Sequence, residues 1–362
     1  MSVKSPEKSY SKPKQSARKM HPKLESKASS IIDKIPVDMV LFLARPYIAG
    51  QTAEQSVALA HKIYREHHFT STLDILGEDM ESDSTCDASV KAYKELADQI
   101  AAKPLKVKSD RLQLTISLKP SMFSTKAPGE PGADNELLKA YERIKAVTEY
   151  AGCKNINVTL DAEDHRWTDF QLATYANLIK QGCTNLGTVL QSRLLRTRDD
   201  LKKFDSGMRV RLVIGIYNEP ATIALTDKTE MKQMLVEYAG ILLAKGVYVE
   251  IATHDLDCIH SFFTDVVIPN KIPSTTFELQ FLHGVPRDQL QNGLETGSYF
   301  TSKAFPEAYA GELARLNSEG ARVRKYLPFG LSHVAGAYCR RRLKENPNMI
   351  TYGIKNFLGF QS

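Results

Sequence analysis

The chain has 362 residues, of which 42% are hydrophobic and 25% are charged, and its formal net charge is +6. These values are typical of one large or two medium-sized globular domains, and no apolar run approaches the roughly 18 residues that a membrane-spanning helix needs. The five cysteines are scattered and lack C-x-x-C spacing, which argues against a disulfide framework or a zinc site and favours a reducing compartment.

Residues 1–30 differ from the rest of the chain in composition. They contain eight lysines and arginines against two glutamates, so this segment carries the whole net charge. Such a segment, poor in aliphatic residues, is predicted to be a disordered basic tail. It lacks the features of a secretory signal or a mitochondrial presequence. We interpret it as a solubilising tail, with contact to anionic lipid or nucleic acid as the alternative, and the neutral remainder argues against a nucleic-acid-binding domain.

Residues 31–70 are predicted to form a helical arm, in which the amphipathic segment 52–68 plugs or braces the domain that begins at residue 71. From that residue onward, short β-rich runs alternate with longer helical ones. The candidate strands are STLDIL (71–76), LQLTISL (112–118), NINVTL (155–160), GTVLQ (187–191), RVRLVIG (209–215), VYVEIAT (247–253), FELQFL (277–282) and ARVRKYL (321–327). The helical stretches between them are residues 86–102, 134–152, 167–182, 229–246 and 305–320.

This alternation predicts an α/β fold with a parallel sheet, and eight such units predict a (β/α)8 TIM-type barrel. We therefore expect the barrel over residues 71–350, preceded by the basic tail and the helical arm, and followed by a C-terminal tail at 351–362.

Functional side chains of such barrels lie at the C-terminal ends of the strands. Polar and titratable residues recur there: Asp74, Glu78, Lys119, Asp161, Glu163, Asp164, Gln191, Tyr217, His254, Asp255, Gln280, His283 and Tyr326. The stretch DAEDH (161–165) could supply carboxylates for acid–base work or structural partners for arginine. HDLDCIH (254–260) has too few converging ligands for a metal, so we expect none.

The final predicted helix, 331–345, places Tyr338, Arg341, Arg342 and Glu345 on one face. Two neighbouring guanidinium groups can bind one carboxylate through forked hydrogen bonds, and an adjacent glutamate reduces their mutual repulsion. This pattern predicts that a small anionic ligand binds above the barrel.

Several motifs then occur in a fixed order, each at a strand end. They are TLDILGE, VTLDAED, GTVLQ, RVRLVIGIYNEP, IATHD, FELQFLHG, VRKYLPFG and YCRRRLKEN. Together, over roughly residues 40–350, they resemble the proline dehydrogenase family. Its members are FAD-dependent (β/α)8 barrels that oxidise proline to pyrroline-5-carboxylate.

The resemblance implies roles for individual residues. The implied substrate-binding residues are Lys119, Tyr326, Tyr338, Arg341, Arg342 and Glu345, with the two arginines clamping the carboxylate. The implied cofactor-binding residues are Ala162, Gln191, Arg211, Val213, Ile214, Gly215, Thr253 and His254. The implied catalytic residues are Asp161, Arg211 and Tyr217, with Arg211 near the flavin ring and Asp161 shaping the substrate site together with Lys119.

The resemblance also implies partners and a location. They are L-proline, a membrane quinone as electron acceptor, and a separate pyrroline-5-carboxylate dehydrogenase that takes the product. The expected location is the cytoplasm, with peripheral contact to the inner membrane, or the mitochondrial matrix in a eukaryote. Two alternatives stay open: a related flavoenzyme that acts on another cyclic or N-alkyl amino acid, and a non-catalytic proline-binding barrel with weakened FAD binding.

Three positions depart from the family pattern. Ile214 stands where the family has a cation in V-K-G-A-Y, Arg193 stands in place of the tyrosine of Q-A-Y, and Pro120 follows Lys119 where leucine is usual. All three positions lie in cofactor or substrate loops, so they affect FAD binding more than recognition of proline. Our hypothesis is that Arg193 replaces the charge that is missing at Ile214.

Overall fold

The computed structural model describes residues 45–107, 109–301 and 304–330. The predictions for Tyr338, Arg341, Arg342 and Glu345 lie outside these residues, and so do those for the tails at 1–30 and 351–362.

Eight parallel strands close into a single barrel in the order of the sequence, which confirms the predicted (β/α)8 fold. The strands are β1 Thr70–Ile75, β2 Thr115–Leu118, β3 Val158–Leu160, β4 Leu186–Gln191, β5 Arg209–Val213, β6 Tyr248–Ala252, β7 Phe277–Leu282 and β8 Val323–Phe329. The ring closes where β8 pairs with β1 over six residues, with Thr72 opposite Tyr326.

The helices lie between the strands, as the parallel connections require. They are α1 Ala53–His67, α2 Asp83–Ala102, α3 Ala133–Gly152, α4 Thr168–Lys180, α5 Thr197–Asp200, α6 Lys228–Ala244, α7 Leu256–Ser261, α8 Asp288–Thr296 and α9 Ala310–Glu319. A π-helical segment, Phe262–Val267, continues α7. Helix α8 was not predicted, and α9 begins at Ala310 rather than Phe305. Within the described residues, no helix is both long and apolar enough to cross a bilayer.

Side-chain caps fix the starts of several helices. Thr52, Ser82 and Asp227 each accept a hydrogen bond from a backbone N–H three residues further on, at the starts of α1, α2 and α6. Such caps satisfy donors that the first helical turn leaves unpaired. These caps fix where α1, α2 and α6 begin, and so fix the length of the loop before each helix.

Helix α1 braces the outside of the barrel at its seam. It packs against both β1 and β8, and its buried residues include Val57, Ala60 and Ile63. The chain before α1 is tied to the end of β8, because Ala49 N–H donates to the Pro328 carbonyl and Gly330 N–H donates to the Gly50 carbonyl. The prediction that this segment plugs or braces the barrel is therefore resolved in favour of bracing.

The interior of the barrel is polar and contains buried ion pairs. Nearer the N-terminal ends of the strands, Arg324 pairs with Glu278 at 2.6 Å, and Tyr248 donates to the same carboxylate at 3.0 Å. Above them, Glu250 accepts hydrogen bonds from Arg209 at 2.6 Å and from Gln280 at 2.7 Å. Buried charges are stable only when they are paired and hydrogen-bonded, and this interior meets that condition.

Candidate active site

Arg211 lies at the centre of the C-terminal half of the barrel interior. Its Nη1 donates to Asp161 at 2.7 Å and to Ser117 Oγ at 3.0 Å, and its Nε donates to Glu250 at 3.3 Å. Burial opposes ionisation of Glu250, but the two arginines beneath and beside it outweigh that effect and lower its pKa to about 2. Glu250 is therefore charged, and it forms an ion pair with Arg211 on the side nearer the N-terminal ends of the strands.

Asp161 joins Arg211 to Tyr326. The Tyr326 hydroxyl donates to Asp161 Oδ2 at 2.8 Å, and the Arg211 guanidinium lies 5.3 Å from the centre of the Tyr326 ring. Tyr326 is only half-buried, so part of its side chain is accessible to solvent. Asp161 after β3, Arg211 in β5 and Tyr326 in β8 thus form one cluster. The strand-end positions predicted Asp161 and Tyr326, and the resemblance added Arg211.

Lys119 forms a buried ion pair with Asp74. The Lys119 Nζ lies 2.6 and 2.7 Å from the two carboxylate oxygens, and both side chains are almost wholly buried. Burial raises the pKa of Asp74, and the adjacent lysine opposes that rise. The resemblance associated Lys119 with Asp161. In the structure Lys119 also pairs directly with Asp74, at the end of β1.

Glu163 links three of the loops. Its carboxylate accepts hydrogen bonds from the backbone N–H and the hydroxyl of Ser121, at 2.8 and 2.6 Å, and its carbonyl accepts one from Gln191 Nε2 at 2.8 Å. The proline at position 120 starts a short 3-10 turn, which directs Ser121 towards Glu163. Burial raises the pKa of Glu163 to about 7, although both hydrogen bonds from Ser121 favour the charged form.

Gly215 marks the turn after β5. Its φ is +99°, and a Cβ placed there would lie 2.5 Å from Gln191 Oε1 and 2.8 Å from Arg193 Cδ. Only glycine fits both constraints. The half-buried Arg193 donates through Nη1 to the Tyr217 carbonyl, and its backbone N–H donates to the Ile214 carbonyl at 3.1 Å. Arg193 is thus held directly against the loop in which the expected cation is missing.

His254 is half-buried just after the end of β6 and is neutral. Burial, with nearby lysine and arginine charges, lowers its pKa to about 3, and its Nε2 accepts a hydrogen bond from the Leu282 N–H at 3.3 Å. The other ring nitrogen, Nδ1, then carries the proton. Thr253 beside it is buried, and its hydroxyl accepts from the Asp255 N–H at 3.2 Å.

The remaining predicted positions lie on the same end of the barrel. Ala162 comes directly after Asp161 and is half-buried, and Val213 and Ile214 are also partly exposed at the end of β5. Tyr217 lies two residues beyond Gly215, and its carbonyl is fixed by Arg193. All predicted residues within the described ranges therefore share one rim.

The sequence of the chain is similar to those of known proline dehydrogenases. The family model for proline dehydrogenase matches residues 59–351. The chain is 30% identical over 321 residues to the proline dehydrogenase of Deinococcus radiodurans, covering 87% of this chain and 90% of the relative. It is 29% identical over 316 residues to proline dehydrogenase 1 of Bacillus subtilis, with the same shares covered.

The chain belongs to the proline dehydrogenase family. It is an oxidoreductase that acts on proline.

Solved structures agree with this family in fold. The structure of proline utilization A from Bdellovibrio bacteriovorus, inactivated by N-propargylglycine, matches with a TM-score of 0.67 and 20% identity over 85% of this chain. A variant of the protein from Bradyrhizobium japonicum matches with a TM-score of 0.65 and 19% identity over 86% of this chain. The chain corresponds to 32% of the length of each of these proteins.

Several buried polar atoms at the rim have no hydrogen-bond partner among the described residues. They are Gln191 Oε1, Arg193 Nε, Arg211 Nη2 and His254 Nδ1. Buried polar atoms are rarely left unpaired, so this group calls for a ligand that accepts and donates hydrogen bonds. FAD is such a ligand, and the residues that the resemblance assigned to it supply three of the four atoms.

Sequence reasoning missed three residues that shape this rim. Asp74 was noted only as a strand-end carboxylate, and Glu250 and Ser121 were not singled out. Glu250 could have been found, because a glutamate in the middle of the buried strand VYVEIAT requires a cationic partner. The pairings of Asp74 with Lys119 and of Ser121 with Glu163 depend on which strands are neighbours, and local sequence does not carry that information.

Proposed function

We propose that this protein catalyses the FAD-dependent oxidation of L-proline to 1-pyrroline-5-carboxylate. The observation that carries the proposal is the cluster of Arg211, Asp161 and Tyr326 beside buried polar atoms that no described residue satisfies. Unsatisfied donors and acceptors in a rigid barrel mouth are what a tightly held polar cofactor requires.

We assign the cofactor to the rim formed by β4, β5 and β6. Gln191, Arg211 and His254 would offer one acceptor and two kinds of donor to it, and Gly215 leaves room for close approach of the backbone. FAD, when bound, supplies the acceptor for the hydride that leaves the substrate. The cationic guanidinium of Arg211 would stabilise negative charge on the reduced ring.

The residues of the chain bind and orient the substrate. In the reaction, the ring carbon next to nitrogen loses a hydride and the amine loses a proton, so that the C–N bond becomes C=N. Tyr326 is fixed by its hydrogen bond to Asp161, and the accessible part of its ring would pack on the apolar ring of proline. Arg341 and Arg342, supported by Glu345 and Tyr338, would bind the carboxylate, which fixes the direction of the ring.

The remaining parts of the proposal concern partners and location. We propose that a quinone reoxidises the flavin, that a separate dehydrogenase takes the product on towards glutamate, and that the protein works in the cytoplasm with peripheral contact to the membrane. The basic segment 1–30 supports the last point, because clustered lysines are attracted to anionic lipid surfaces.

An anaerobic absorbance spectrum of the purified protein, before and after L-proline is added, tests the proposal. We expect visible flavin bands that bleach with L-proline, and no bleaching with an equal concentration of D-proline. Flavin bands that do not respond to L-proline would point to another cyclic or N-alkyl amino acid as substrate. Failure to take up added FAD would contradict the proposed cofactor and favour a binding protein, for which the apolar Ile214 is the supporting feature.

A further inference from the structure

A second cavity lies on the outside of the barrel, on the other face of β8 from Tyr326. Its volume is about 400 Å3, and it is bounded by α1, the outer face of β8 and the loop that leads into α8. Its apolar walls are formed by Leu59 and Ile63 of α1, by Phe69, and by Val285. The volume is within the roughly 300–1,000 Å3 range of small-molecule sites.

Lys325 places a buried positive charge in this cavity. The residue is only 6% exposed, its ammonium group donates to Gln291 Oε1, and it lies 5.8 Å from the centre of the Phe69 ring. Within the described residues no carboxylate forms an ion pair with Lys325, and the buried Gln291 Nε2 has no partner. Burial lowers the pKa of Lys325 to about 8, and the negative charge of Asp288 opposes that shift.

The other titratable groups around the cavity do not cancel that charge. Lys62 and Glu66 are exposed at the entrance of the cavity and approach one another at 4.0 Å, and Asp288 is exposed at the start of α8. Burial lowers the pKa of His283 to about 4, so this side chain is neutral at physiological pH. His67 is exposed and contacts Asn292 at 3.0 Å. The deep part of the cavity is therefore cationic, and its walls are apolar.

We propose that this cavity binds a small monocarboxylate with a short apolar body. Its carboxylate would pair with Lys325, and its hydrocarbon part would contact Leu59, Ile63 and Phe69. A dianionic phosphate fits less well, because Glu66 and Asp288 stand at the entrance and the walls offer few donors. A free amino acid with an apolar side chain and a simple organic acid share the required chemistry.

Binding there would be coupled to the barrel mouth. Lys325 and Tyr326 are consecutive in β8, so their side chains point to opposite faces of the strand. Tyr326 donates to Asp161 on the inner face. A ligand that displaces Lys325 from Gln291 would shift the strand position that carries Tyr326. This coupling rests on the proposed function, whereas the binding itself does not.

Saturation-transfer NMR with isovalerate and with L-leucine, on the full chain, tests the binding. We expect at least one of the two to bind wild type, and the signal to fall at least tenfold in Lys325→Met. Lys62→Met, at the entrance of this cavity, and Asp161→Asn, at the barrel mouth, should both retain binding. Binding of isovalerate identifies a simple carboxylate as sufficient. Binding of L-leucine alone identifies an amino acid.

Absence of binding to wild type, or equal binding to Lys325→Met, would overturn the proposal. Loss in Asp161→Asn with retention in Lys325→Met would assign the signal to the barrel mouth instead. If Lys325→Met fails to fold, acylation of lysines mapped by mass spectrometry replaces it. The ligand should then protect Lys325 but not Lys62 in wild type, and unprotected Lys325 would equally overturn the proposal.

Discussion

Arg324 and Arg211 are both buried inside the barrel, yet they differ in how completely they are hydrogen-bonded. The guanidinium of Arg324 makes five hydrogen bonds: two to Glu278 and one each to the carbonyls of Ser71, Arg111 and Gln113. Arg211 donates through Nε and Nη1, whereas its Nη2 has no partner among the described residues.

The difference separates structural charge from functional charge. A guanidinium group has five N–H donors, so Arg324 has none left for a ligand, and Arg211 has two. Both residues lie on neighbouring layers of one interior, so burial alone does not distinguish them. The number of unsatisfied donors does, and it points to the barrel mouth as the place where a ligand completes the network.

The sharpest test of the comparison removes Arg324, the arginine whose five donors are all hydrogen-bonded. Arg324→Met should lower the free energy of unfolding by about 3–5 kcal/mol, because it leaves Glu278 buried without a cation. Urea unfolding measures this loss. Arg322→Met, on the half-buried neighbouring position, is the control. The double variant Arg324→Met/Glu278→Gln should recover part of the loss. A small effect of Arg324→Met would mean that a guanidinium with all its donors hydrogen-bonded does not indicate a structural role.

The second test changes Arg211, the arginine that keeps donors without a partner, but retains its positive charge. Arg211→Lys loses the forked geometry and the free Nη2 donors, so kcat/KM for proline should fall about 100-fold, as for the loss of one charge-stabilising donor. Its free energy of unfolding should change less than that of Arg324→Lys. Steady-state kinetics and urea unfolding of both variants give the comparison. The proposed difference between the two arginines would be wrong if Arg211→Lys had a lower free energy of unfolding than Arg324→Lys.

A smaller effect is expected from the cation beside Gly215. Arg193→Gln should weaken FAD binding about tenfold, since a charge-assisted hydrogen bond contributes roughly 1.5–3 kcal/mol. Adding Ile214→Lys to this variant should restore affinity. Titration of the apoprotein with FAD, followed by flavin fluorescence, measures both. Unchanged affinity in Arg193→Gln would discard the idea that this residue replaces the missing charge.

The smallest effect concerns pH. The pKa of Glu163 is raised to about 7 by burial, so the folded protein holds a proton there that the unfolded chain releases near its ordinary value. Stability from this group is present at low pH and is lost as pH rises through about 7, by about 1 kcal/mol between pH 6 and 8. Glu163→Gln should remove that decline. Parallel declines in urea unfolding of both proteins would contradict it.

The sequence predicted the barrel, because all eight strands were marked by β-rich runs between helical stretches. The strand bounds were less accurate. The run 155–160 contributes only Val158–Leu160, since Asn155 adopts a left-handed φ of 57°, and the run 112–118 contributes only Thr115–Leu118 after a 3-10 turn.

The rim was predicted as a set of positions but not as a set of contacts. The rule that functional residues lie at strand ends singled out Asp161 and Tyr326, whereas Arg211, in the middle of β5, was assigned to the site by the family resemblance alone. It could not show that Asp74 pairs with Lys119, or that Arg211 keeps free donors while Arg324 has none. Those facts depend on distances between side chains from strands far apart in the sequence.

Closure of the ring has a consequence for how the chain folds. The hydrogen bond from Arg324 to the Ser71 carbonyl joins residues 253 positions apart, and the pairing of β8 with β1 spans a similar separation. Contacts of this kind form late, so the edge of β1 that pairs with β8 stays unpaired until β8 has left the ribosome. Helix α1, which is synthesised before β1 and packs on it, can cover one face of that strand until β8 pairs with it.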